Sequence, residues 1–259
     1  MVLLARISES DKRQQLLTEH LNNVAELSAS FSESKNLLRL VAILHDLGKA
    51  IVAFQDYLKN GGERGSVVHS RQGAFFLDDC LHDSSDIIES LLKEITAIAI
   101  MAHHGSLYDG ISPDGRDVFL EKLAEKENDK YRYHEVKRNS ADIFCNLKND
   151  IRELINLSKK EINTIVSQIN SLYRSQESAQ FALGLFVKFV YSCLIDADRL
   201  DAYTFDINKR NGPDVTDWIS LINNFEEKIR DFPVESEIAV IRQSISSKCK
   251  EAVNARVIL

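Results

Sequence analysis

Leu37-Leu38-Arg39-Leu40-Val41-Ala42-Ile43-Leu44-His45-Asp46-Leu47-Gly48-Lys49 is the stretch that decides how this chain is read. Leu37, Leu40, Val41, Leu44 and Leu47 recur at helical spacing, Gly48 stands where a helix over 35–47 ends, and His45-Asp46 occupies the last turn. An imidazole and a carboxylate beside an apolar helix face are expensive to bury unpaired. A metal ion is the partner that removes that cost.

The same arrangement recurs outward along the chain. Residues 11–30 carry Leu16, Leu17, His20, Leu21, Val24 and Leu27 at helical spacing, which turns His20 toward the core. His69 opens a helix after the glycine-rich loop at 60–67. A helix with Ile87, Ile88, Leu91, Leu92, Ile95, Ile98 and Ala102, capped by Ser84 or Ser85, runs directly into His103-His104-Gly105. In a long helix over about 176–202, Asp198 falls on the stripe of Val187, Val190, Tyr191 and Leu194, and Asp196 falls off it. Asp198 is therefore the expected ligand. Asp196 and Asp201 are alternatives, and Asp201 also suits a partner that orients a ligand. The candidate centre draws in five of the seven histidines, and His82 and His134 read as surface residues.

Three prolines, all between apolar-periodic segments, leave long helices allowed almost everywhere, and the β-branched clusters are too short for a sheet. The expected fold class is all-α, one domain over 1–259, with about 205–259 as a C-terminal helical extension. Trp218, Leu221, Ile222 and Phe225 read there as helix packing. The mixed-sign charge of 121–138 reads as a solvated face. The four cysteines are dispersed without a C-x-x-C pair, and 1–10 has no secretory pattern, so a cytoplasmic location is expected. Lys188 and Asp196 interrupt the apolar stretch at 181–197, which reads as a buried core helix with no membrane partner. A net charge of −7 argues against an extended basic face for duplex DNA, though bound cations can supply positive charge locally. The only Gly-Lys pair is followed by Ala50, so no phosphate loop and no ATP site is present.

His20, His45-Asp46 followed by Gly48-Lys49, His69-Ser70, His103-His104-Gly105 and Asp196-Ala197-Asp198-Arg199-Leu200-Asp201, in that order, resemble the HD superfamily of metal-dependent phosphohydrolases. More closely they are similar to the HD nuclease module of the type I CRISPR helicase-nuclease. The resemblance implies a helical bundle with the metal site at helix ends in a central cleft. It also implies that His20, His45, Asp46 and Asp198 hold one metal ion and that His69, His103 and His104 hold a second. Asp46 would bridge the two ions, and Lys49 would point at the site. A helicase domain or subunit and the CRISPR surveillance (Cascade) complex are the implied partners, and 238–259 resembles the lead-in to a helicase.

The residue types suit that chemistry by themselves. Mixed imidazole and carboxylate donors favour manganese, iron, cobalt or nickel over calcium, and magnesium is also compatible. Two ions sharing a carboxylate activate a hydroxide against phosphorus, and positive groups neutralise the charge that develops. Asp46 and Lys49 are the expected catalytic residues. Lys49, Arg64, Arg71 and Lys59 are the candidates for touching substrate phosphates. The expected activity is cleavage of single-stranded DNA, with RNA as a further substrate. The alternative is a phosphohydrolase acting on nucleotides or cyclic dinucleotides, which needs a closed pocket with base and sugar contacts.

Overall fold

A computed structural model describes residues 2–63, 65–81, 86–207, 217–230, 232–233 and 236–254. The chain divides into two compact units, 1–209 and 210–259. In the first unit a hairpin of β1 (Leu4–Ile7) and β2 (Gln14–Leu16) precedes helices α1 (Leu17–Ala29) and α2 (Lys35–Leu44). A 3-10 turn at Leu47–Ala50 leads to α3 (Val52–Asn60) and α4 (Gln72–Cys80), followed by α5 (Ile87–Ala102). Then come α6 (Val118–Ala124), α7 (Tyr133–Phe144), α8 (Ile151–Leu172) and α9 (Gln176–Asp206). The second unit holds α10 (Trp218–Arg230) and α11 (Glu237–Asn254).

The all-α expectation holds for the body of the fold. The hairpin is an addition to it: the helix read over 11–30 begins only at Leu17, and 14–16 pair with β1 instead. Polar Gln14 and Gln15 interrupt the apolar period there, and the strand ladder satisfies their backbone.

α2 is the central element. From Leu37 to Leu44 every residue but Arg39 is buried, the pattern of a helix enclosed on all sides. α1, α4, α5, α8 and α9 all pack against it. Each fully buried leucine contributes about 1.5–3 kcal/mol relative to exposure, and the end of this helix, with His45 and Asp46, is buried inside the first unit.

Gly48 does not end α2, which stops at Leu44; it lies inside the 3-10 turn. Its role is close approach. A Cβ there would stand 2.1 Å from the carbonyl oxygen of His69 and 2.4 Å from Oε1 of Gln72. Gly48→Ala is expected to destabilise the fold by about 2–3 kcal/mol through overpacking, which lowers the melting temperature of a unit this size by roughly 5–10 °C. Gly184→Ala is the contrasting variant, because a Cβ at that helical position meets nothing within 4 Å. It should raise stability by about 0.5–1 kcal/mol. Thermal melts of the two variants separate contact from conformational freedom.

Other expectations are corrected. Asp86 caps α5, accepting the N–H of Ile88 at 2.9 Å, and Ser84 and Ser85 lie outside the described residues. The segment 121–138 is not simply solvated: Tyr131, Tyr133 and Val136 are buried, and Lys126 bridges Asp78 and Asp79 of α4. α9 is only half a core helix. Val190, Cys193, Leu194, Ala197 and Asp201 are buried, whereas Phe181, Leu185 and Phe189 are exposed. By length and composition alone it is apolar enough to cross a membrane, yet its second half is packed on α1 and α5. Trp218, Leu221, Ile222 and Phe225 are exposed rather than packed in a core.

Candidate metal centre

Five places in the chain supply the centre. α1 brings His20, α9 brings Asp198 and Asp201, the turn after α2 brings His45 and Asp46, the segment before α4 brings His69, and the end of α5 brings His103 and His104. His45 closes α2 with its N–H on the Val41 carbonyl at 3.0 Å, and its Nδ1 donates to the Ala42 carbonyl at 2.6 Å. His103 repeats the device on α5, with Nδ1 donating to the Ile100 carbonyl at 2.6 Å. His69 Nδ1 donates to the Val67 carbonyl at 3.0 Å. A carbonyl oxygen only accepts, so Nδ1 carries a proton in all three rings and Nε2 is the atom presented to the centre.

His20 is oriented by a carboxylate. Its Nδ1 lies 2.6 Å from Oδ2 of Asp201, which is 3% exposed and also accepts from Gln15 Nε2 at 3.0 Å. Asn23 Nδ2 donates to the other Asp201 oxygen at 2.9 Å. A carboxylate behind a ligand imidazole fixes the ring and raises its basicity.

The Nε2 atoms converge on Asp46. Its Oδ2 lies 3.1 Å from His20 Nε2, 3.2 Å from His45 Nε2 and 2.6 Å from Lys49 Nζ. Its Oδ1 lies 3.4 Å from His103 Nε2. Oδ1 of Asp198 is 3.5 Å from His20 Nε2 and 3.8 Å from His45 Nε2. His104 and His69 face each other with their Nε2 atoms 2.8 Å apart. One donor atom from each of His20, His45, Asp46 and Asp198 falls within 4.8 Å of the others, and the same holds for Asp46, His69 and His104. Asp46 is common to both groups.

These donors suit a divalent cation. His45 Nε2, Asp46 Oδ1 and His103 Nε2 are buried and make no hydrogen bond, a costly arrangement unless something else coordinates them. Two ring nitrogens at the His69–His104 distance repel unless a proton or cation lies beside them. Burial disfavours charge on His45, but the carboxylates of Asp46 and Asp198 outweigh it and hold its pKa up at about 10. Burial opposes ionisation of Asp46 too, yet Lys49 and His45 keep it well below the usual carboxylate range. Asp198 is likewise held low against burial, by His45. Burial pushes His69 down and His104 to about 3, so both offer neutral nitrogens at neutral pH.

The seven expected residues thus lie together, His103 with its Nε2 toward Asp46 and its ring centroid 3.9 Å from that of His104. Asp196 is exposed and belongs to neither group. Arg71 is turned to Glu125 at 3.1 Å and to the face of Tyr131, away from the cleft beside the centre. Lys59 and His134 are exposed, and Arg64 and His82 lie outside the described residues. Reading the sequence missed Arg6, whose Nη2 lies 3.1 Å from His20 Nδ1. It also missed Gln72, fully buried, whose Nε2 donates to the carbonyls of Val68 and Tyr131 at 2.9 Å and steadies the His69 segment. The sequence signal for Gln72 is only its place three residues after His69.

No curated protein sequence matches the chain significantly. The sequence profile of the family described as "Cas3, HD domain" matches residues 3–187. That span holds every donor of the centre except Asp198, which geometry alone places there. A family match over more than half the chain, on a helical fold that gathers the His-Asp pair and its companion histidines, leads to one conclusion: the chain belongs to the Cas3 HD-domain family, the metal-dependent hydrolase and nuclease domains of type I CRISPR systems.

Proposed function

We propose that this chain cleaves phosphodiester bonds of single-stranded DNA during CRISPR interference, with two divalent transition-metal ions at the centre. The observation that carries the reading is the position of Asp46. Its Oδ2 serves His20 and His45 while Oδ1 faces His103, and it is shared by two donor groups. His20, His45, Asp46 and Asp198 would hold one ion. His69, His103 and His104 would hold the other, with Asp46 between. Bound ions supply Lewis acidity and water activation at neutral pH. The protein's own groups do the rest. Lys49, 7% exposed and paired with Asp46, reaches the cleft and stabilises charge developing on the phosphoryl oxygens. Manganese, nickel, cobalt and iron suit the mixed donors best. A helicase domain or subunit and the surveillance complex would present the strand, since the sequence holds no phosphate-loop motif.

The test is cleavage of single-stranded DNA and RNA with added manganese, set against phosphate release from free nucleotides and cyclic dinucleotides. Strand cleavage that stops in excess EDTA is expected. Undiminished cleavage at negligible metal content removes the metal mechanism, and release from free nucleotides alone favours the phosphohydrolase reading.

The buried carboxylate behind His20 gives a second measurement. Asp201→Asn keeps the size of the side chain but removes the charge, and is expected to weaken metal affinity by about 10–100-fold with the fold intact. Manganese titration by calorimetry checks this. Unchanged affinity assigns Asp201 to packing alone.

A further inference from the structure

We infer that the N-terminal hairpin is one wall of the substrate channel and that Arg6 clamps a backbone phosphate adjoining the scissile one, opposite an apolar wall at Tyr57 that takes a base. The inference rests on the nuclease reading and adds to it the residues that seat the strand. The register of the hairpin shifts between Leu4, which pairs with Leu16, and Arg6, which pairs with Gln15. Such a bulge re-aims a side chain. Ala5 stays in the core, and Arg6 and its cross-strand neighbour Gln15 both reach Asp201. The hairpin is fixed to the metal centre as well. Gln55 bonds both the N–H and the carbonyl of Leu4 at 2.9 Å, and its Nε2 also donates to the carbonyl of Lys49 at 2.7 Å. Arg6 is therefore preorganised beside the ligands.

Its charge is not consumed there. Among the described residues its polar contacts run through Nη2: the 3.1 Å approach to His20, and two longer ion pairs of 3.6 Å to Asp198 and 3.7 Å to Asp201. The remaining donors of the planar fork suit a phosphate. Arg6 and Lys49 line a cleft of about 860 Å³ that includes His69 and His104 on the metal side. That volume accommodates a nucleotide. The exposed acids Glu9 and Asp206 lie on the same cleft and repel an anion from the rim, so a phosphate settles at the inner end with Arg6 and Lys49. Tyr57, Val67 and Val68 give the cleft an apolar face, and base stacking on an aromatic ring requires no particular sequence.

The probe is a fluorescein-labelled phosphorothioate dT12 in manganese, titrated by anisotropy across a salt series. Arg6→Gln is expected to weaken binding about tenfold and to lower the slope of log K against log salt by about 0.7, the loss of one phosphate contact on a single strand. Tyr57→Ala is expected to weaken binding about tenfold at unchanged slope. Manganese per chain should stay at the wild-type value in both. An unchanged slope for Arg6→Gln, or loss of manganese by it, overturns the clamp, and unchanged affinity for Tyr57→Ala overturns the base wall. Failure of the wild-type chain to bind or cut single-stranded DNA overturns the nuclease reading itself, a different result from failure of the variants. Tyr57 belongs to neither donor group, so its variant tests the channel even where Arg6→Gln does not fold.

Discussion

Asp46→Ala is expected to abolish DNA cleavage, a loss of at least about 10³-fold, whereas Lys49→Ala retains activity reduced by about 10²-fold. The difference follows from position. Asp46 is fully buried and is the one carboxylate shared by the two donor groups, with His20, His45 and Lys49 on one oxygen and His103 on the other. Its removal takes a ligand from both groups at once. Lys49 contributes one positive charge beside several others, so its loss weakens stabilisation of the phosphoryl charge and leaves the donor set whole. A second readout accompanies the first. Burial lowers the pKa of His45 and Asp46 is the strongest group raising it, so Asp46→Ala should bring the His45 pKa down in the metal-free protein, which an NMR titration follows. Equal residual activity for the two variants, with equal metal content, would show that the roles are not divided in this way.

The candidate ligands are legible in the sequence because each sits at a position that local rules describe. His45 and His103 follow apolar helices at their C-terminal ends, and His20 and Asp198 lie on buried helical stripes. Period and helix ends are local properties, and the structure brings together all seven residues that they single out. The groups that orient the ligands were harder to find. Gln15, Asn23 and Gln72 act through contacts 186, 178 and 59 residues away in the chain, and no spacing rule joins Gln15 to Asp201. Arg6 was hidden for another reason: its direction depends on a bulge in a hairpin too short to stand out from its surroundings. In the sequence Gly48 has the place of a helix terminator, because glycine often ends helices. Its actual constraint, the carbonyl of His69 pressed against its Cα, is tertiary. Arg71 shows the converse error, since nearness to His69 in sequence does not put its guanidinium in the cleft when Glu125 and Tyr131 hold it elsewhere.

Single-stranded DNA should be cut without ATP, and covalently closed duplex should be cut at least about tenfold more slowly under the same conditions. The chain has no phosphate loop to drive unwinding, and its net charge of −7 leaves little counterion-release affinity for a double helix. Four of the seven donors also lie deep, whereas His69 and Asp198 are half-buried and His104 is exposed. His20, His45 and Asp46 are 0% exposed and His103 is 6% exposed, so a phosphate must descend between helix ends to reach them. A single strand bends its backbone into such a cleft, whereas duplex DNA keeps its direction over about 150 base pairs and meets the rim first. The comparison uses matched single-stranded and closed duplex substrates at equal manganese without ATP, read as initial rates. Closed ends matter, because frayed termini would offer single strands and mask the difference. Comparable rates on the two substrates would mean that the donors are reached from an open face, and the deep-cleft account of substrate choice would have to be given up.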